Sequence, residues 1–263
     1  MIMGENGLTR REREIRDLLE AKYLEYNTRG FILTDPIQVP HSFKRKEDIE
    51  ISSFLTCTIA WGSRKMIINN AFRLMNLMDD KPYEFITSSS RKEWKAMDGF
   101  VHRTFQTGDL FYFLDALKRI YTEKGGLEPV FSEGYSKGGI YDAIIHFREV
   151  FLQWNPLRRV NKHVSNPATG SAAKRLNLFI MWMVRHDPAG VHFGLWPDIS
   201  MSDLIIPLDL HVGRVSRSLG LISRNANDWR SAIELTSKLR KFDPADPVKY
   251  DFSLFGMGLD KTV

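Results

Sequence analysis

The sequence predicts an all-α fold on three observations. Apolar residues recur at i, i+3 and i+4 along nearly the whole chain, the spacing of a helix with one buried face. No segment alternates apolar and polar residues long enough to require a strand, the one short candidate being Leu204–Leu208. Glycine, proline and capping residues fall where the periodicity stops.

Ile15, Leu18, Leu19, Lys22, Tyr23 and Tyr26 predict a first helix of about five turns, after which Pro36 and Pro40 bracket a loop. Asp48 precedes an apolar helix through Ile51, Phe54, Leu55, Thr58 and Ile59, broken at Trp61-Gly62-Ser63. Ile67, Ala71, Leu74, Met75 and Met78 mark the next helix. Asp109 reads as the N-cap of a helix carrying Leu110, Phe113, Leu114, Leu117 and Tyr121, stopped by Lys124-Gly125-Gly126. Ser136-Lys137-Gly138-Gly139 reads as a flexible joint, and the 125–139 region as a loop at a lobe boundary. Further stripes are Ile140, Ile144, Phe147 and Phe151, then residues 172–185, then Val212, Val215 and Leu219 up to Gly220. Asp228 caps a helix through Trp229, Ala232, Ile233, Thr236 and Leu239. Asp246-Pro247 starts the last helix, which Gly256 and Gly258 end. That makes about ten helices, with no fixed-period repeat.

Hydrophobic residues at 43% and charged residues at 26% exclude a disordered chain, a collagen-like chain and a disulfide scaffold. The longest clean apolar run, Leu178–Val184, falls far short of the roughly 18 residues that cross a bilayer. Met1-Ile-Met-Gly-Glu-Asn lacks an apolar signal core, and Arg10, Arg11 and Arg13 follow in a helix, so no export and a cytoplasmic location are expected. One cysteine, Cys57, allows no internal disulfide, no cysteine zinc site and no four-cysteine iron–sulfur cluster. It reads as a small buried hydrophobe. No metal and no other cofactor is expected. The net charge is +5, and 150–186 alone holds Arg158, Arg159, Lys162, Lys174, Arg175 and Arg185 with no Asp or Glu. Such a run reads as a polyanion-binding surface.

Two segments carry chemistry. In Ile205–Leu221 an apolar extended piece ends at Asp209, where an amphipathic helix bearing Arg214 and Arg217 begins. A carboxylate in that place caps free amides. Beside a phosphate backbone it can also stabilise positive charge developing on a sugar, so cap and catalyst are compatible. In Asn166–Leu176 a Pro/Gly turn runs into a helix whose first turns hold Lys174 and Arg175, and amides of such a turn can hold a phosphate. Lys174 is a surface lysine, a phosphate contact or a nucleophile, the last only as the neutral amine.

Together these segments resemble the helix-hairpin-helix DNA glycosylase superfamily. There a turn–Lys–helix is followed by a Pro-hydrophobic-Asp-x-His-hydrophobic-x-Arg-hydrophobic element, as in Pro207-Leu208-Asp209-Leu210-His211-Val212-Gly213-Arg214-Val215. The stretch Asp48–Ala71 is similar to that family's early helix and the loop after it, which approaches DNA near Trp61-Gly62-Ser63-Arg64. Lys249–Gly256 resembles its last core helix. Pro167-Ala168-Thr169-Gly170 offers one glycine where two are usual, and Lys174 lies 35 residues before Asp209, features closer to the archaeal 8-oxoguanine glycosylase branch. Over nearly its whole length the chain is also similar to a bacterial family of conserved hypothetical proteins related to these glycosylases. It shares Gly170–Asn177, Asp228-Trp229 and Asp243–Asp251 with them.

The resemblance implies one domain over 1–263, divisible into lobes at about 45–150 and at 1–44 plus 151–263, with a DNA-binding cleft between them. It implies base-excision repair of double-stranded DNA with a damaged base, an oxidised purine by the nearest branch. Lys174 attacks the sugar and forms a Schiff base that permits strand cleavage, and Asp209 stabilises the sugar cation or takes a proton. Gly170, Ser171, Arg175, Arg214, Arg217, Lys162 and Arg64 would hold phosphates. Trp61 or Phe105 would stack on a base or fill its gap. Two other readings are a non-catalytic nucleic-acid binder on the same fold, and a helical metal phosphohydrolase. The latter would take ligands from His146 or His163, His186-Asp187 and Asp209.

Overall fold

The structure, a computed structural model, describes residues 7–154 and 158–260. The N-terminal hexapeptide read above for export lies outside them. Among the described residues the protein is all-α, with twelve α-helices, short 3-10 turns and one hairpin of two-residue strands. None of these helices is long and apolar enough to cross a membrane.

The helices are α1 (Arg10–Tyr26), α2 (Arg29–Ile32), α3 (Lys46–Thr58), α4 (Arg64–Asn76), α5 (Pro82–Ser88), α6 (Thr107–Glu123), α7 (Leu127–Gly138), α8 (Ile140–Leu152), α9 (Lys174–Val184), α10 (Leu210–Ser218), α11 (Trp229–Phe242) and α12 (Asp251–Asp260). The strands β1 (Val101–His102) and β2 (Phe105–Gln106) pair antiparallel. Two compact units result. The first holds the described parts of 1–31, 169–194 and 200–263; the second holds 32–168 and 195–199.

In the first unit α1 opens on a capping box: the Glu12 backbone N–H donates to the Thr9 hydroxyl and the Thr9 N–H to the Glu12 carboxylate. α12 packs against both α1 and α10, and the Ser253 hydroxyl donates to the Leu19 carbonyl at 2.6 Å. Gly256 and Gly258 lie inside α12 rather than ending it, because Tyr26 and His211 pack where side chains would project. Asp246-Pro247 opens a 3-10 turn, Pro247–Tyr250, ahead of that helix.

In the second unit the core is aromatic, with Phe54, Phe105, Phe113, Phe131, Phe147 and Phe151 fully buried. Burying each such ring contributes about 1.5–3 kcal/mol. Glu50 lies in this core and accepts hydrogen bonds from the Tyr121 hydroxyl (2.7 Å) and Trp196 Nε1 (2.8 Å). Burial still pushes its carboxyl above the usual range. α7 occupies most of the stretch expected to be a loop. Its Leu127, Val130, Phe131 and Gly134 are buried at helical spacing, and only Gly139, at φ +84°, breaks the chain before α8. Two further expectations change. α6 starts three residues early, with Gln106 as its N-cap and Asp109 as its N3 residue, accepting from the Gln106 N–H at 2.9 Å. Leu204–Leu208 is extended and buried but pairs with no strand.

Candidate functional site

Lys174 and Asp209 both head helices of the first unit. The 3-10 turn Pro167–Thr169 and Gly170, at φ +90°, lead through Ala173, itself left-handed, into α9. Lys174 is therefore the first helical residue, and it and Arg175 are half-buried. The element before this turn is the 3-10 helix Arg159–His163, not an α-helix. Asp209 is the N-cap of α10: its Oδ1 accepts from the Val212 N–H at 2.8 Å. The residue is half-buried.

One tripeptide ties the two helix heads together. Asn227 Nδ2 donates to the Asp209 carbonyl at 3.0 Å. Asp228 forms an antiparallel bridge with Ser171, and the Trp229 N–H donates to the Gly170 carbonyl at 3.0 Å. The Asp209 carbonyl and the Gly170 carbonyl, just ahead of the two helices, are thus held by one short segment, Asn227-Asp228-Trp229.

Arg217 holds this tripeptide in place. It donates from Nε to the Arg224 carbonyl (2.7 Å) and from Nη2 to the Ala226 carbonyl (3.1 Å) and Asn227 Oδ1 (2.5 Å). In the structure its place is thus that of a brace. Arg214 donates from Nη2 to the Gly258 carbonyl at 2.7 Å, covering the end of α12, while its side chain stays exposed. Asp228 caps α11 through the Ser231 N–H (2.8 Å) and pairs with Arg224. Those two contacts, the arginine's first, lower its pKa from 3.8 to about 2. A depressed folded pKa means that stability present above pH 3.8 is lost as pH falls toward 2. Asp228→Ala should cost about 1 kcal/mol by thermal unfolding at neutral pH. It should also flatten stability against pH between 4 and 2.

The basic run of 150–186 is divided between the two units. Arg158, Arg159 and Lys162 belong to the second unit; Lys174, Arg175 and Arg185 belong to the first. Arg185 is fully buried and bonded to Asp246 (2.8 and 3.1 Å), Asp187 (3.2 Å), His192 Nδ1 (2.9 Å) and the Tyr23 hydroxyl (2.9 Å). Arg159 is bidentate on the buried Asp109. The His186-Asp187 doublet is divided: His186 is exposed, whereas the Asp187 side chain is 1% exposed beside Arg185. No metal-binding cluster of three His, Cys, Asp or Glu occurs among the described residues.

In the second unit Arg64 and Trp61 are half-buried and Lys162 is exposed. Phe105 is fully buried against Phe100, Phe113 and His163, so it is a core ring and not a base-stacking one. Sequence reasoning missed Asn227, which no periodicity marks, and Arg103, at the turn of a hairpin too short to alternate.

No curated protein and no solved structure matches the chain significantly. Residues 35–260 match the profile of a family described as "Protein of unknown function (DUF2400)", and with most of its length covered the chain belongs to that family.

Proposed function

We propose that this protein is a DNA glycosylase acting on a damaged base, with Lys174 as nucleophile and Asp209 as its acidic partner. The observation that carries the reading is the bracing of both helix heads by Asn227-Asp228-Trp229. It gives a reason for a lysine and an aspartate 35 residues apart to serve one reaction. The damaged nucleotide leaves the duplex stack. The neutral Lys174 amine attacks the sugar C1′ as the bond to the base breaks, and the electron pair leaves with the base. Asp209 stabilises the positive charge that builds on the sugar ring. The attacking amine gives one proton to the departing base by way of Asp209; the C1′–O4′ bond then breaks, O4′ takes the second proton, and the C1′=N imine that forms permits strand cleavage. Arg175 and Arg214, with the amides of Gly170 and Ser171, hold phosphates on this side.

The test is borohydride trapping on duplexes carrying an oxidised purine. The expected result is a covalent protein–DNA adduct that Lys174→Gln abolishes. Absence of an adduct and of base release from every damaged duplex overturns the proposal. Salt-sensitive binding without chemistry would instead mark a non-catalytic binder.

A further inference from the structure

We propose that the second unit carries a stacking platform for single-stranded DNA, built on Trp61. The platform does not depend on chemistry at Lys174. Three segments distant in sequence meet there. The Trp61 ring lies 5.1 Å from the His102 ring, edge to face, and 6.1 Å from the His163 ring, near-parallel at 26°. Arg103, at the hairpin turn with φ +54°, lays its guanidinium over Gly62, where a Cβ would come within 2.8 Å of Nη1. Gly62 has φ +108°, a backbone conformation that favours glycine at this contact.

The charge on these segments has one sign. Residues 60–66, 101–106 and 158–163 carry Arg64, Lys65, Arg103, Arg158, Arg159 and Lys162, and no Asp or Glu. Asp109 answers Arg159 from beneath, fully buried. Lys65, Arg103, Arg158 and Lys162 are exposed.

The platform is also pre-set. His102 is 1% exposed, and its Nε2 donates to the Trp61 carbonyl at 3.1 Å. Its Nδ1 then accepts from Asn70 Nδ2 at 2.8 Å. Burial, first, and the charge of Arg103 lower the imidazole's pKa, which keeps this neutral tautomer in place near neutral pH. The backbone of Trp61 is held, while the residue, unlike the buried Trp94 and Trp196, keeps part of its surface exposed. A held aromatic residue on segments whose charges are all positive suits an unpaired base and its adjoining phosphates. Bases inside a duplex are already stacked and offer no free face. The partner is therefore a single-stranded nucleic acid, and the DNA substrate proposed above for the first unit, on which this choice rests, makes it DNA.

The experiment uses the full chain and 2-aminopurine placed within a single-stranded oligothymidylate. Binding should quench the 2-aminopurine, weaken steeply with salt, and be tighter than to the same sequence fully paired. Trp61→Ala should abolish the quenching and weaken binding about 10-fold, whereas Trp61→Phe should keep most of both. Arg103→Gln should leave quenching intact and reduce the slope of log affinity against log salt by about one. Equal affinity of Trp61→Ala and the parent, no quenching on binding, or preference for the paired strand overturns the platform. Preference for an RNA strand of the same sequence overturns the assignment to DNA. Quenching that survives in Lys174→Gln, in a protein that traps no adduct, would retain the platform and reject the glycosylase. Trapping without quenching would do the reverse.

Discussion

Replacing Arg185 with methionine should destabilise the first unit by about 3–5 kcal/mol, seen as a lower urea midpoint. The side chain has no exposure and serves four partners. Methionine fills much of its volume but leaves the carboxylates of Asp187 and Asp246 desolvated without a cation. Asp187 keeps hydrogen bonds from Asn27 Nδ2 (3.1 Å) and the Ala189 N–H (3.0 Å), which is not enough to replace a guanidinium. Arg185→Lys should recover little, since a single ammonium cannot reproduce a planar guanidinium that reaches Asp246 through Nε, Asp187 and His192 through Nη1 and the Tyr23 hydroxyl through Nη2. The loss should depend on pH in a defined sense. Burial already raises the pKa of Asp246, and Arg185 opposes that rise. Without the arginine the folded-state pKa climbs further above the unfolded one. The folded variant then binds more protons than the unfolded chain, and its stability rises as pH falls. A deficit that stays constant from pH 7 to pH 5 would show that the two acids are solvated.

The same residue shows where a sequence stops being legible. A run of cations without acids suggests a surface, because Lys and Arg are seldom fully buried unless paired. The acids that pair with Arg185 and Arg159 lie outside the run, at Asp246 and Asp109. Helical periodicity placed α1, α3, α4, α6 and α8 to α11 because each carries apolar residues at helical spacing, although α3 and α9 are buried on nearly every side. It missed α7, where two glycines and a lysine at the C-terminal end resemble a linker although Leu127, Val130 and Phe131 form the stripe. It also misplaced the end of α12, since a helix can carry glycine where a neighbouring ring occupies the space of a side chain. Lys174 and Asp209 could be singled out because each begins a helix and each matches a motif. The link between them could not, because Asn227 is 18 residues from Asp209 and belongs to no pattern.

Asp209→Asn should slow base release at least 100-fold while leaving affinity for damaged duplex within about threefold. The amide can still cap α10 through its oxygen, so the helix persists, but the negative charge that stabilises the sugar cation is gone. Loss of affinity equal to the loss of rate would mean that Asp209 only shapes the binding surface. Asn227→Ala provides the complementary measurement, because it keeps the carboxylate and removes its brace. Base release should fall about 10-fold with binding unchanged. Gly213→Ala reaches the same brace from the other side. A Cβ on Gly213 would lie 2.5 Å from Asn227 Oδ1 and 2.9 Å from Arg217 Nη1, so both side chains must give way. If the brace is what couples the two helix heads, each change breaks the same contact and the double variant should be no slower than the worse single one. Additive losses would mean that Gly213 and Asn227 act on α10 separately, and that Lys174 and Asp209 are aligned by some other part of the first unit.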